Sequence, residues 1–268
     1  MIKNNKYLIL RRFVQLTTLF LFFAGANLGL GILKGNLSTA NVFGKFHLSD
    51  PYAVLQMAFT GYFPTIEIII GALIVLAFYS LLGGRIFCSW VCPLNIITDF
   101  ASYLRKKFKI KTLLKSGAIS RKIRYYVIVL GLVLSFITGV AAFELVNPIS
   151  ILFRGIIFGT TFSFTAVFII FLFDLLIVEH GWCGHICPVG AIYSATGKFR
   201  LLKIYHTSEN CTLCMKCKHV CPEVQVLSII GKETGKINSS ECTDCARCID
   251  VCDDDALKFK IFNKNIIK

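Results

Sequence analysis

Residues 211–222 read Cys-Thr-Leu-Cys-Met-Lys-Cys-Lys-His-Val-Cys-Pro, and residues 242–252 read Cys-Thr-Asp-Cys-Ala-Arg-Cys-Ile-Asp-Val-Cys. Each run is Cys-x2-Cys-x2-Cys-x3-Cys. At this spacing three thiolates from one loop grip a cubane [4Fe–4S] cluster, and the fourth is carried to a second cluster, as in bacterial two-cluster ferredoxins. The expected sets are Cys211, Cys214, Cys217 and Cys252 for cluster 1, and Cys242, Cys245, Cys248 and Cys221 for cluster 2. Crossed ligation of this kind brings two clusters within electron-transfer range. Structural zinc uses CxxC pairs, and two complete four-cysteine runs argue against it. Asp253 stands where Pro follows the fourth cysteine of the first run, which leaves the ligands intact.

Outward from these runs, the residues from Lys198 on are mixed in charge and contain no spanning segment. They hold eight of the 12 cysteines. The preceding residues are different. Of the 268 residues 55% are hydrophobic and 16% charged, with 24 Phe, which excludes a disordered chain and an ordinary soluble domain. Four apolar stretches, Phe13–Leu33, Pro64–Leu82, Tyr125–Phe143 and Ile156–Val178, are long enough to cross a bilayer core, which takes roughly 20 helical residues. Backbone polar groups in lipid must pair internally, so each stretch is predicted as a helix. The expected architecture is a four-helix membrane domain over residues 1–197 and a 2[4Fe–4S] ferredoxin domain over residues 198–268. The Arg11-Arg12 pair and Ala24-Gly25-Ala26 fit a cleaved leader. The apolar run continues to Leu33, however, and a retained helix gives two matched pairs.

Lys and Arg set the orientation. The tail carries Lys3, Lys6, Arg11 and Arg12, and the second loop carries ten cations between Arg85 and Arg124, against three in the other two loops. Both termini are therefore expected on the cytoplasmic side of a bacterial inner membrane. The net charge of +14 is largely this bias, not a nucleic-acid footprint, because no base-reading or stacking module accompanies it.

The membrane region repeats. Arg85–Pro93 reads Arg-Ile-Phe-Cys-Ser-Trp-Val-Cys-Pro, and Gly181–Pro188 reads Gly-Trp-Cys-Gly-His-Ile-Cys-Pro. Cys88 to Cys183 and Cys92 to Cys187 are each 95 positions. Two helix pairs of like orientation, each ending in CxxxCP, predict a pseudo-twofold along the membrane normal. Spacing i, i+4 puts both thiols of a pair on one helix face. Three readings stand for Cys88, Cys92, Cys183 and Cys187: a third metal site, a dithiol relay, or packing. Paired repetition at one depth argues against packing.

No histidine lies in a predicted span, which disfavours axial haem ligation within the bilayer. Ionisable residues in or beside spans are functional candidates. Glu67 and Glu144, near the outer ends of helices two and three, are candidate proton acceptors for a quinol. Asp174 reads as a partner for a basic group or a helix end, and Trp90 and Trp182 as interfacial anchors.

The stretches ILKGNLS (32–38), GGRIFCSWVCPLN (83–95), VNPIS (146–150), FLFDLLIVEHGWCGHICPVGAIY (171–193) and HVCPEVQVL (219–227) resemble the NapH-type membrane ferredoxins. The resemblance implies a quinol dehydrogenase component. It would take electrons from menaquinol or ubiquinol and pass them, with a NapG-type iron–sulfur partner, towards a periplasmic nitrate reductase. The twelve cysteines carry over to the family's motifs, whereas no quinol motif does. Clusters on the cytoplasmic side would require electrons to cross the bilayer. The alternative is an accessory ferredoxin that reduces copper or disulfides during assembly of a respiratory or methylamine-oxidising enzyme.

Overall fold

The computed structural model describes residues 5–29, 31–114, 119–159 and 161–261. Lys3 and Lys115, two of the cations that set the orientation, lie outside them. In chain order the elements are α1 (Lys6–Asn27), strands β1 (Leu33–Gly35), β2 (Thr39–Val42) and β3 (Phe46–Ser49), then α2 (Pro51–Phe59), α3 (Ile66–Leu82), α4 (Ile86–Trp90) and α5 (Leu94–Phe108). They continue with α6 (Ile123–Thr138), α7 (Ala142–Val146), α8 (Pro148–Phe158), α9 (Thr161–Leu172) and α10 (Pro188–Thr196). The last are β4 (Leu202–His206), α11 (Lys216–Val220), β5 (Gly235–Lys236), α12 (Arg247–Asp250) and β6 (Leu257–Ile261). They form two compact units: one of residues 1–15, 78–91 and 193–268, the other of residues 16–77 and 92–192.

In the second unit, β1, β2 and β3 form an antiparallel meander ahead of α2. The helices shorten and shift the spans read from the sequence. Among the described residues, α1 meets the length and hydropathy of a full crossing, and Ile66–Leu82, Ile123–Thr138 and Ser163–Ile177 are shorter apolar helices. The first stretch ends as helix at Asn27, before Gly29 at φ +69°, and Leu33 opens a strand. The third stretch ends at Gly139, whose left-handed backbone donates to the Ser135 carbonyl at 3.0 Å. The fourth stretch is cut at Gly159 in the same way, so residues 156–158 belong to α8. Glycine takes this conformation without a Cβ penalty, which makes it a natural helix end.

The helical halves match beyond the cysteines. Asp50 caps α2 and Asn147 caps α8, each followed by Pro at the first helical position. Both side chains accept a hydrogen bond from a first-turn N–H, and proline there forfeits a donor that has no helical partner anyway. Each short helix then leads to a long apolar one, α3 or α9, and on to CxxxCP.

In the first unit, β4 lies between β5 and β6, all antiparallel. Ile204 of β4 and Leu257 of β6 bury against Val226, Leu227, Ile230 and Ile237. This small apolar core carries the two cysteine loops.

Candidate functional site

The two loops repeat at 31 positions, Cys211 onto Cys242 through Cys221 onto Cys252. Leu213, Met215, Asp244 and Ala246 all hold left-handed backbone, at φ 60°, 58°, 47° and 59°. Positive φ in residues other than glycine costs energy and persists where the surroundings impose it, typically at functional sites. Left-handed residues between the cysteines curl each loop so that its thiols face one hollow. The third cysteine of each run, Cys217 or Cys248, sits on a one-turn helix, α11 or α12. Cys221 is extended at φ −76° and ψ 123°, as the residue before Pro222 tends to be. That conformation sends it away from its own loop.

The result is two cavities. One is lined by Cys221, Cys242, Cys245 and Cys248, with Glu223 and Arg247 at its wall. The other is lined by Cys211, Cys214, Cys217 and Cys252, with His206 and Asp254. Among the described residues no three His, Cys, Asp or Glu side chains converge as one bound ion requires. The thiols stand around hollows, four to each, a donor set that fits a cubane cluster. Burial pushes the Cys221 thiol up to about 12 and lifts Cys242 and Cys248 well above the usual range. Metal ligation requires thiolates, so loading these sites releases protons.

The segment before the first CxxxCP belongs to this same unit. Arg85 is fully buried and ion-paired to Glu223 at 3.1 Å and Glu241 at 3.0 Å. These carboxylates hold its guanidinium charged despite its burial. Ser89 donates to the Thr243 carbonyl at 2.7 Å, and the Trp90 indole donates to the Asp244 carbonyl at 3.1 Å. Trp90, read as an interfacial anchor, is therefore engaged with a cysteine loop. Gly84 is held at φ +58° against Gly197, where a Cβ would meet the Gly197 Cα at 2.6 Å.

The CxxxCP cysteines do not share helix faces as the spacing suggested. Cys88 lies on α4, which ends at Trp90, so Cys92 falls beyond it. Cys183 lies on a π-helical turn, Trp182–Ile186, and Cys187 is extended at ψ 115°. Pro93 and Pro188 explain both ends, because the residue before proline is steered out of the helical region. A second π turn, Phe173–Ile177, precedes it. There Asp174 accepts from the Trp182 N–H at 3.0 Å, and Arg105 donates to the Asp174 carbonyl at 2.6 Å and pairs with Glu179 at 2.7 Å. Asp174 thus serves the start of the Trp182–Ile186 turn.

The two carboxylate candidates lie in different settings. Glu67 is 71% exposed, 3.5 Å from His47. Glu144 accepts from Ser150 and, at 3.1 Å, from Asn147, and the Ser150 hydroxyl lies 3.0 Å from that of Ser38. Asp50, half-buried beside it, is a residue that sequence reasoning missed. Burial, and then the charge of Glu144, raise its carboxyl to about 7. The signal was available: Asp50-Pro51 and Asn147-Pro148 are repeat equivalents 97 positions apart.

A family described as "4Fe-4S binding domain" matches residues 65–111 and again 160–204, once in each half of the repeat. A second, "4Fe-4S dicluster domain", matches residues 203–253. The chain is 41% identical to "Ferredoxin-type protein NapH" of Escherichia coli (strain K12), over 94% of this chain and 88% of that one. The NapH of Haemophilus influenzae is 43% identical, over 95% and 90%. The chain belongs to the NapH-type family. Its iron–sulfur, electron-transfer character follows from that membership. The NapH-type sequence also resembles "Methylamine utilization ferredoxin-type protein MauN" of Methylorubrum extorquens, at 39% identity over 88% of this chain and 81% of the relative. No solved structure matches.

Proposed function

We propose that this chain is a multi-span membrane protein that takes electrons from the quinol pool, menaquinol or ubiquinol. It passes them, with a NapG-type iron–sulfur partner, towards a periplasmic nitrate reductase. The observation that carries the reading is the pair of four-thiol cavities. We assign one [4Fe–4S] cluster to Cys211, Cys214, Cys217 and Cys252, and one to Cys221, Cys242, Cys245 and Cys248. Bound there, the clusters supply one-electron storage. The protein's own groups hold them in place, exclude water with the Val226, Leu227 and Ile230 wall, and accept the quinol's protons.

Four membrane crossings are supported by where the apolar side chains point. Phe13 and Phe20 of α1, Ile66 and Ile70 of α3, Tyr126 and Phe136 of α6 and Phe168 and Ile169 of α9 are all exposed. A soluble protein does not expose contiguous apolar surface on this scale. The 17 residues of α3 reach about 26 Å, within the span range for a bilayer core. The Lys and Arg distribution then favours cytoplasmic termini and a cytoplasmic ferredoxin domain, so electrons bound for the periplasm cross the bilayer.

Glu144 is the better supported proton acceptor, because a hydroxyl chain and a second carboxyl, Asp50, adjoin it. Glu67 beside His47 is the other. The CxxxCP cysteines are proposed as a third redox site, metal or dithiol, supported by the match of a 4Fe-4S family to each half. A second and less well supported reading is an accessory ferredoxin in assembly of a methylamine-oxidising enzyme, for which the MauN relatives offer only a methylamine-utilization name.

The test is reconstitution of anaerobically purified protein in liposomes containing a quinol. Reduction of the clusters by quinol is expected. Clusters that stay oxidised at a quinol potential able to reduce them would remove the dehydrogenase role and leave the accessory reading.

A further inference from the structure

The two cysteine cavities are not equivalent. Cys242, Cys245 and Cys248 are each under 9% exposed, at 6%, 8% and 5%. Their fourth partner, Cys221, is partly buried; in the other set Cys217 is buried at 8%, but Cys214 is exposed and its neighbour Leu213 is 52% exposed. The segment around Cys88 also reaches the loops selectively. Arg85 grips Glu223, two residues past Cys221, and Glu241, one residue before Cys242. Ser89 and Trp90, on either side of the next peptide, bind the carbonyls of Thr243 and Asp244 between Cys242 and Cys245. Gly83 comes so close that a Cβ would lie 3.1 Å from Asp244 Oδ2. The Gln15 amide donates to the Ser89 carbonyl at 3.0 Å. The bonds to Glu223 and Thr243 end on residues lining the cavity formed by Cys221, Cys242, Cys245 and Cys248, and those to Glu241 and Asp244 end on chain neighbours of Cys242 and Cys245.

We propose that Arg85–Trp90 is a dock that makes this cavity the inner redox site, through which electrons pass between the ferredoxin loops and the Cys88 turn. The cavity of Cys211, Cys214, Cys217 and Cys252 is then the outer terminal, open to a separate one-electron iron–sulfur protein. This rests on the reading that both cavities hold clusters. Transfer between them moves one electron: one cluster is oxidised as its neighbour is reduced, with no bond made and no proton moved. Arg85 is a positioning residue. Its cation also stands beside the inner site, where it favours the more negative, reduced state.

The experiment is a reductive titration of the full-length chain, purified anaerobically in detergent and followed by EPR. Cys245→Ser and Cys214→Ser identify the inner and outer signals by deleting them. Arg85→Gln is expected to lower the potential of the inner signal and leave the outer one in place, with Arg85→Lys restoring most of the shift. A soluble gadolinium chelate is expected to speed relaxation of the outer signal much more than the inner. Should Arg85→Gln fail to fold, Trp90→Phe removes one bond to the same loop and is expected to perturb the inner signal only. A shift of the outer signal, a shift of neither, or equal action of gadolinium on both overturns the proposal. Iron-free wild-type protein overturns the underlying cluster reading instead.

Discussion

Asp50 and Asn147 do the same structural job with different chemistry. Both cap a short helix behind a proline, yet Asp50 brings a carboxyl to within reach of Glu144. A carboxyl raised from 3.8 to about 7 in the folded protein binds its proton more tightly there than in the unfolded chain. Its stabilising contribution is complete below about pH 4 and is lost as pH rises through 7. Asp50→Asn keeps the cap, since asparagine caps as well as aspartate. Thermal unfolding in detergent is expected to fall between pH 5 and pH 8 for the wild type and to flatten in this variant. For function, Glu144→Gln is expected to slow quinol-dependent cluster reduction tenfold or more, while dithionite still reduces the clusters. An unchanged rate, with Glu67→Gln slow, would move the role to Glu67. At this scale the cysteines were legible because ligand spacing is written along the chain. Asp50 was legible only as a cap, through its repeat equivalent Asn147; its pairing with Glu144, far off in sequence, was not.

Among elements, the glycine-ended helices decide where apolar segments stop. The apolar runs alone could not reveal these stops, since hydropathy averages over a single glycine. That is why Ile156–Val178 read as one span while Gly159 divides it between α8 and α9. Gly159 and Gly84 share left-handed backbone but differ in surroundings. Nothing lies within 4 Å of a Cβ at Gly159, whereas at Gly84 the Gly197 Cα would be met at 2.6 Å. Gly159→Ala is therefore expected to cost about 1 kcal/mol, the backbone term by itself. Gly84→Ala is expected to cost more and to lower iron content, because it forces α10 away from the turn that leads into α4. Unfolding midpoints and iron per chain measure the difference. The caps of α2 and α8 follow from simple Asx-Pro chemistry, and the repeat they mark was legible once both halves were aligned.

For the whole molecule, full-length protein purified without oxygen is expected to carry about eight iron and eight sulfide. A reporter fused after residue 268 is expected to read cytoplasmic; a periplasmic reading would reverse the topology and remove the need for electrons to cross the bilayer. The sequence divides the chain near residue 197 by composition, while the compact unit with the cysteine loops also takes in residues 1–15 and 78–91. That grouping was illegible because it is made by buried polar partners, Arg85 with Glu223 and Glu241, which look like ordinary surface charges in a linear sequence.

One contact in that unit sets an order of events during synthesis. The Tyr7 and Leu8 amides at the start of α1 donate to the two carboxylate oxygens of Asp250, at 3.3 and 3.1 Å. First-turn amides have no partner within a helix, and a carboxylate there is doubly favourable. Asp250 is translated 243 residues after Tyr7, roughly 12–50 s later at ordinary ribosomal speed. The first helix therefore waits for its cap until residue 250 has been made, and Cys252, the last thiol of its cavity, follows two residues later. A nascent chain stalled before Asp250 has neither the cap of α1 nor Cys252, the fourth thiol beside Cys211, Cys214 and Cys217.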